Sequence, residues 1–192
     1  MDTTLFDCAI ARWLPKVGDP DALSWVTVAL YVAAAFVCLR KARAVATEPG
    51  RRRDSLFWTG AAILLTLYAA NKQLDLQSLL RGAGHCYAKR EGWWQDRRSV
   101  QVDFVVAVSV AGALAVAAGI VWFRGSLARI WPAALGLAFV AGYAMVRVVG
   151  ISHVATVLET SLAGFPAKWI LEIPGPLLVM AGASVSDRRG AG

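Results

Sequence analysis

The chain alternates long apolar stretches with short basic ones. An α-helix needs roughly 17–25 residues to cross about 30 Å of hydrocarbon, and four of the stretches approach or exceed that length, while a fifth is shorter. The predicted spans are residues 22–40, 55–76, 103–123, 131–158 and 168–184. Residues 77–100 mix aromatic and basic side chains, a pattern typical of an amphipathic segment in the membrane interface. We therefore predict an all-α, single-domain membrane bundle of about five transmembrane helices with one interfacial segment.

Glycine and proline positions indicate where these helices should break. Gly82 and Gly84 predict a division of the interfacial segment, and residues 174–176, Pro-Gly-Pro, predict a kink or split in the last span. Pro132 is expected in the first turn of the fourth span, where a missing N–H costs nothing. The small residues of the third span favour close helix packing.

Composition supports a membrane location and narrows the partners. Of the 192 residues, 57% are hydrophobic and 17% charged, against about 45–50% and about 25% in an ordinary soluble domain. The net charge is +7, but the basic residues lie at the ends of apolar runs rather than on an aromatic-interleaved surface. They are typical of topology signals and lipid-headgroup contacts, so we expect membrane lipids and other integral membrane subunits as partners, and no nucleic acid.

Charge around the first span predicts the orientation. Two basic residues precede this span and six follow it closely. Because cytoplasmic loops carry the excess of Lys and Arg, we predict a bacterial inner-membrane protein with its N-terminus in the periplasm and its C-terminus in the cytoplasm.

Polar residues should gather at the outer membrane face, where the second span ends. Alternating helices bring the ends of the second and fourth spans and the starts of the third and fifth to this face. We call the expected ligand-binding residues there the outer-face cluster: Asn71, Lys72, Gln73, Gln77, Gln101, Asp103, Arg147, Ser152 and Glu172. An unpaired charge at the membrane centre costs roughly 2.5–3.5 kcal/mol, so Lys72 and Arg147 should pair with Asp75, Asp103 or Glu172.

Three functions are compatible with this cluster. The first is a non-catalytic accessory protein that binds a lipid, a quinone-like molecule or partner membrane subunits. The second is a membrane enzyme, a hydrolase or transferase acting on a lipid headgroup, with His153 or Asp75 as acid/base and with Lys72 and Arg147 holding an anionic group. The third is a small-molecule transporter, which the absence of internal repeats disfavours. Polar residues at span ends also commonly snorkel or bridge helices without a further role.

Neither a metal nor a cofactor is expected. The chain has two histidines and neither a His-x-x-x-His nor a Cys-x-x-Cys spacing. A catalytic zinc ion usually takes about three protein ligands.

The stretch Asn-Lys-Gln-Leu-Asp-Leu-Gln at residues 71–77 resembles a motif of an uncharacterised family of bacterial multi-pass membrane proteins. The region of Trp93 to Gln101 and the stretch from Arg147 to His153 are similar to the same family, so the resemblance covers about residues 55–160 and implies no activity. A fainter similarity, to membrane hydrolases of the alkaline-ceramidase and progestin-receptor type, rests on polar residues at one membrane face. Those proteins bind zinc through three histidines, and this chain has two.

Two of the three cysteines fall on the same side in the predicted topology. Cys8 and Cys86 lie on the outer side, where an oxidising periplasm permits a disulfide, while Cys38 lies at the inner end of the first span. Two unpaired thiols remain the alternative, because spacing along the chain does not set the distance between the Cα atoms.

Overall fold

The computed structural model describes the backbone of residues 4–14, 22–92, 95, 97–149, 161–162, 165–166 and 172–188, with most of their side chains. Seven helices account for nearly all of these residues. They are α1 (Leu5–Trp13), α2 (Ala22–Ala46), α3 (Arg52–Leu74), α4 (Leu76–Arg90), α5 (Arg97–Phe123), α6 (Leu127–Val149) and α7 (Pro174–Arg188). A two-residue antiparallel pairing joins β1 (Ser161–Leu162) to β2 (Phe165–Pro166). The predicted all-α architecture is confirmed.

Helices α2 and α3 form an antiparallel hairpin that carries much of the core. The turn between them uses Gly50 at φ 77°, a left-handed conformation that glycine adopts without strain. Tyr31 of α2 and Trp58 and Leu65 of α3 are fully buried in the shared core. The rings of Tyr31 and Tyr68 lie 4.8 Å apart, and Ser55 donates a hydrogen bond to the Ala42 carbonyl at 3.1 Å, so the contact extends along most of both helices.

Helices α6 and α7 form a second hairpin, packed close enough to exclude any side chain at three glycines. A Cβ at Gly136 would lie 2.6 Å from the Gly175 carbonyl oxygen, and one at Gly182 would lie 2.6 Å from the Ala133 nitrogen. Small residues permit this backbone approach, which is how membrane helices gain packing energy. Close packing through small residues was predicted for the third span, but the structure uses it between α6 and α7.

Helix α5 is attached to the rest of the bundle along a narrow line. Its apolar stretch Val102–Phe123 has no buried residue, whereas 39% and 33% of the corresponding stretches of α2 and α6 are buried. Gly112 approaches Met145 of α6, and the Phe123 ring lies 5.6 Å from that of Phe57. Most of the surface of α5 therefore faces outward.

Of the helices that the structure describes, three rather than five are long and apolar enough to cross a membrane. Within the described residues the candidate spans are Ser24–Ala46, Val102–Phe123 and Leu127–Met145. The span predicted at 55–76 forms α3, but polar residues at both ends of this helix dilute its apolar stretch. The described part of the span predicted at 168–184 is α7, whose apolar stretch Pro174–Val185 is too short to cross. The candidate spans support a membrane protein, but the prediction of about five spans, four strong and one weak, was wrong.

Several predicted helix boundaries also need correction. α2 continues past residue 40 to Ala46, so Arg40, Lys41 and Arg43 belong to its last turns. The interfacial segment is not divided, because α4 is one helix through both glycines, and residues 97–100 already belong to α5. Residues 150–158 of the predicted fourth span lie outside the described residues.

The prolines also differ from prediction in position. Pro132 lies inside α6, in its second turn, rather than at its start. Pro174 and Pro176 do not kink a helix, because they form the first turn of α7, where missing N–H groups cost nothing.

A disulfide between Cys8 and Cys86 fastens α1 to α4, with their Cα atoms 6.2 Å apart. Gly82 allows the close contact, since a Cβ there would lie 3.3 Å from the Ala9 carbonyl oxygen. The Trp13 indole also donates a hydrogen bond to the Leu74 carbonyl at 2.6 Å. Of the two alternatives that the sequence left open, the structure has the disulfide, and Cys38 is a buried free thiol.

Removing this bond should lower stability substantially. Its loop of 78 residues predicts about 4 kcal/mol in the chain-entropy model. We expect the Cys8→Ser variant to show a lower apparent melting temperature in detergent, and reductant to lower that of the wild type to a similar value. Reductant should not change the Cys8→Ser variant further, and a wild type unaffected by reductant would contradict the prediction.

Candidate functional site

The centre of the outer-face cluster is a buried ion pair between Lys72 and Glu172. The lysine Nζ lies 2.5 Å from a glutamate oxygen, and the two side chains are 7% and 2% exposed. Lys72 lies near the C-terminal end of α3, and Glu172 lies just before α7. The prediction that Lys72 pairs with a carboxylate is confirmed, with Glu172 as the partner.

Tyr31 links this pair to two further tyrosines, each on a different helix. Tyr31 of α2 interacts electrostatically with Tyr68 of α3, with Tyr143 of α6 and with Glu172. Tyr31 and Tyr143 are buried, at 0% and 7% exposure. The ion pair and the tyrosines therefore form one polar core that joins the two hairpins. Sequence reasoning had not included the tyrosines in this cluster.

Asp75 is separated from this core by a change in backbone direction. It adopts φ 42° between α3 and α4, and its N–H donates to the Asn71 carbonyl at 2.8 Å. Its carboxylate accepts a hydrogen bond from Ser78, the third residue after it. Asp75 is thus the turn residue that ends α3. It was one of the carboxylates predicted to pair with Lys72, but Glu172 is the partner.

The other predicted ligand-binding residues divide into three groups. Asn71 and Gln73 are half-buried at the end of α3, and Asp103 is exposed on α5. The backbones of Gln77, Gln101 and Arg147 are helical, but their side chains lie outside the described part of the structure. Ser152 and His153 lie wholly outside the described residues. Their predicted roles stay predictions.

At the opposite end of the hairpins, a single carboxylate holds two turns together. Asp54, in the first turn of α3, has a side chain that is 1% exposed. Arg129 of α6 donates to its two oxygens from Nε at 2.9 Å and Nη2 at 3.3 Å, and Arg51 donates at 3.0 Å. Arg51 also pairs with Glu48 at 2.5 Å. We call the end formed by residues 40–54 and 122–129 the basic end.

The ionised form of Asp54 is favoured despite its burial. Burial alone would raise the pKa of this carboxyl, but hydrogen bonds from Arg129, Ser126 and Arg51 outweigh the burial and lower the pKa below its ordinary value. Asp54 is therefore a fixed negative charge that orients two guanidinium groups.

A cavity of about 660 Å³ opens beside this network. Two helices begin at its wall: Arg52 is the first residue of α3, and Ser126 immediately precedes α6. The backbone N–H groups at these two N-termini favour the binding of an anion. The residues lining it are Gly50, Arg52, Arg53, Leu56, Trp122, Gly125, Ser126 and Arg129. Its described lining thus contains three arginines and no carboxylate.

A second, more apolar cavity of about 680 Å³ continues along α5. It shares Arg53 and Trp122 with the first cavity, and the Arg53 guanidinium lies 5.9 Å from the Trp122 ring centroid. The remaining lining residues are Leu114, Ala117, Ala118, Val121 and Arg124. Together the cavities form a groove that is basic at the membrane edge and apolar towards the membrane interior.

The charges at this groove do not balance. Glu48 and Asp54 compensate Arg51 and Arg129, with which they are paired. Arg52, Arg53 and Arg124 are exposed and line the cavities without a described carboxylate beside them. Sequence reasoning had taken these bases as topology signals and lipid-headgroup contacts, but it had not predicted that they line a common cavity. One signal in the sequence could have indicated the site. Asp54 lies three residues after Arg51, a spacing that places both on one helix face, where they can form an ion pair.

Separating the buried pair at the outer-face cluster should be costly. Lys72→Met leaves the Glu172 carboxylate buried without its partner, so we expect a loss of about 3–5 kcal/mol in the free energy of unfolding. Glu172→Gln should be similarly destabilising, and the double variant should lose less than the two single losses combined. Simple additivity in thermal or denaturant unfolding would contradict a direct Lys72–Glu172 interaction.

Lowering the pH should remove the stabilisation of the folded state that the ionised Asp54 provides. A carboxyl whose folded pKa is lowered stabilises fully above its unfolded pKa of about 3.9, and this stabilisation is lost as pH falls through the folded pKa. We expect Asp54→Asn to cost about 2 kcal/mol at pH 7, with the difference from wild type narrowing below about pH 4. Thermal unfolding from pH 3 to 7 measures this, and a difference independent of pH would contradict it.

Comparisons with known proteins assign neither a family nor a function to these sites. No family model matches the chain, and neither a curated protein nor a solved structure matches it. The candidate sites therefore depend on the contacts described above.

Proposed function

We propose that this chain is a non-catalytic accessory membrane protein that binds a phospholipid with an anionic headgroup at its basic end. The observation that carries the proposal is the groove in which Arg52, Arg53 and Arg129 surround one cavity and an apolar cavity continues along α5. The lipid site thus lies at the basic end rather than in the outer-face cluster, where Glu172 already neutralises Lys72.

The first cavity suits a phosphate group. Arg129 uses two of its five N–H groups on Asp54 and is 35% exposed, so donors remain for an oxyanion. Arg52 and Arg53 add two exposed positive charges, and planar guanidinium groups bind phosphate with paired hydrogen bonds. The start of α6 contributes the partial positive charge of a helix N-terminus.

The second cavity suits an acyl chain. Leu114 and Val121 are seven residues apart, so they share one face of α5, and both are exposed, at 66% each. Ala117 and Ala118 between them leave room for a chain to lie along the helix. Trp122, at the junction, is the residue type that typically lies at the level of headgroups.

The position of the groove supports the same ligand. The candidate spans Ser24–Ala46 and Val102–Phe123 both end at this level, and Leu127–Met145 begins there. A basic cavity between helices at a membrane surface is a typical site for anionic headgroups. We place this end on the cytoplasmic side of a bacterial inner membrane, following the excess of basic residues, with the N-terminus outside.

The enzyme alternative has weaker support. One of its two acid/base candidates was Asp75, but Asp75 accepts a hydrogen bond from Ser78 in a turn. The charge of Lys72, which was to hold an anionic group, is matched by Glu172. Its other candidate, His153, lies outside the described residues.

Removing two arginines of the groove should weaken lipid binding. Each basic residue near a membrane surface contributes about 1 kcal/mol towards an anionic lipid, so Arg52→Gln/Arg53→Gln should bind short-chain phosphatidylglycerol about 30-fold more weakly. Titration in a zwitterionic detergent measures this binding, and mass spectrometry of the purified protein measures the retained lipid.

A matched control separates the groove from general surface charge. Arg40→Gln/Arg43→Gln also removes two positive charges from the basic end. Both positions are exposed on α2 and lie outside both cavities. This double variant should leave binding nearly unchanged. Equal weakening in the two double variants, or wild-type binding of phosphatidylcholine as tight as that of phosphatidylglycerol, would overturn the proposal.

A further inference from the structure

At the end opposite the groove, α1 and α4 form a compact pair beside the hairpin of α2 and α3. The Cys8–Cys86 disulfide and the Gly82 contact hold the two helices together, and the Trp13 hydrogen bond to Leu74 ties α1 to the end of α3. Ala9 and Cys86 are buried between them, at 4% and 7% exposure. The pair is therefore a defined structural unit rather than a loose terminal segment.

Each helix of the pair presents an apolar stripe on its outer surface. On α4, Leu76 and Leu80 are 42% and 63% exposed and four residues apart, which places them on one face. Phe6 of α1 and Leu14, which caps the C-terminal end of α1, are also exposed, at 70% and 59%. In water these surfaces would be unfavourable, since large apolar side chains would contact solvent.

The stripe of α4 continues an apolar stripe of α3. Exposed residues of α3 recur at intervals of seven and four along its whole length: Leu56, Ile63, Leu67 and Leu74. Leu74 and Leu76 flank the turn at Asp75, so the apolar surface passes from α3 directly onto α4. α3 packs against the membrane-spanning α2, which makes lipid the natural surrounding of its exposed face.

Basic side chains occupy a different face of the pair. Arg81 and Lys89 on α4 and Arg12 on α1 are exposed. Lys89 is nine residues from Leu80, which places it on the opposite face of the helix. An apolar face towards acyl chains and a basic face towards headgroups and water is the arrangement of a helix lying in the membrane interface.

We infer that the disulfide-bonded α1–α4 pair is a membrane-interface platform whose apolar stripe lies among the lipids of the outer leaflet. The occupant of this surface is the bilayer itself. The platform holds the N-terminal helix flat against the membrane, at the end opposite the arginine groove. It does not depend on the proposed function, because it involves neither cavity.

Spin labels on opposite faces of α4 test the inference in vesicles of phosphatidylcholine and phosphatidylglycerol. Leu80→Cys and Lys89→Cys, each made with Cys38→Ala, are labelled without reductant so that the native disulfide stays closed. We expect the label at 80 to be more accessible to oxygen, which concentrates in lipid, than to a water-soluble nickel chelate. The label at 89 should show the opposite preference. Leu76→Cys provides a second label on the apolar face.

Three outcomes would overturn the inference. A nickel preference at both 76 and 80 would place the stripe in water. Low accessibility to both reagents at these positions would place it against protein, either a second copy of this chain or another subunit. The absence of the native disulfide on non-reducing electrophoresis would remove the platform itself.

Discussion

The Lys72–Glu172 pair is the contact on which the arrangement of the two hairpins depends. α2 and α3 are joined by a short turn, and α6 and α7 by the close approach of glycines, so each hairpin has its own local support. An ion pair in a low-dielectric interior adds little net stability over apolar packing, but separating its partners is expensive. It therefore favours one relative placement of the hairpins over others that would bury the same apolar area.

Asp54 has the corresponding role at the basic end. By binding Arg129 it joins the first turn of α3 to the first turn of α6, across 75 residues of sequence. Its fixed charge also determines which arginines are engaged in structure and which face outward. The same short basic run thus supplies both the internal contacts of this end and the positive surface of the groove.

The sequence predicted the features that follow from local pattern. The membrane class, the approximate helices and the carboxylate partner of Lys72 all derive from hydropathy, length and the cost of an isolated charge in lipid. It did not predict the burial of Asp54, because an acid within an Arg-rich run is ordinarily solvated and its partner Arg129 is distant in sequence. The role of Gly82 was also missed, since a glycine that admits a neighbouring helix has the same local signature as one that ends a helix. The number of spans was overestimated because polar ends reduce the effective apolar length of α3.

The disulfide closes the N-terminal part of the chain into a covalent ring. Cys8 precedes α2 and Cys86 follows α3, so the bond encloses the entire first hairpin within one ring. The antiparallel packing of α2 against α3 returns the chain to the end at which it started, so the two sulfurs meet once this hairpin has folded. Bond formation therefore marks the completion of the first hairpin during biogenesis, before α5, α6 and α7 need to be in place.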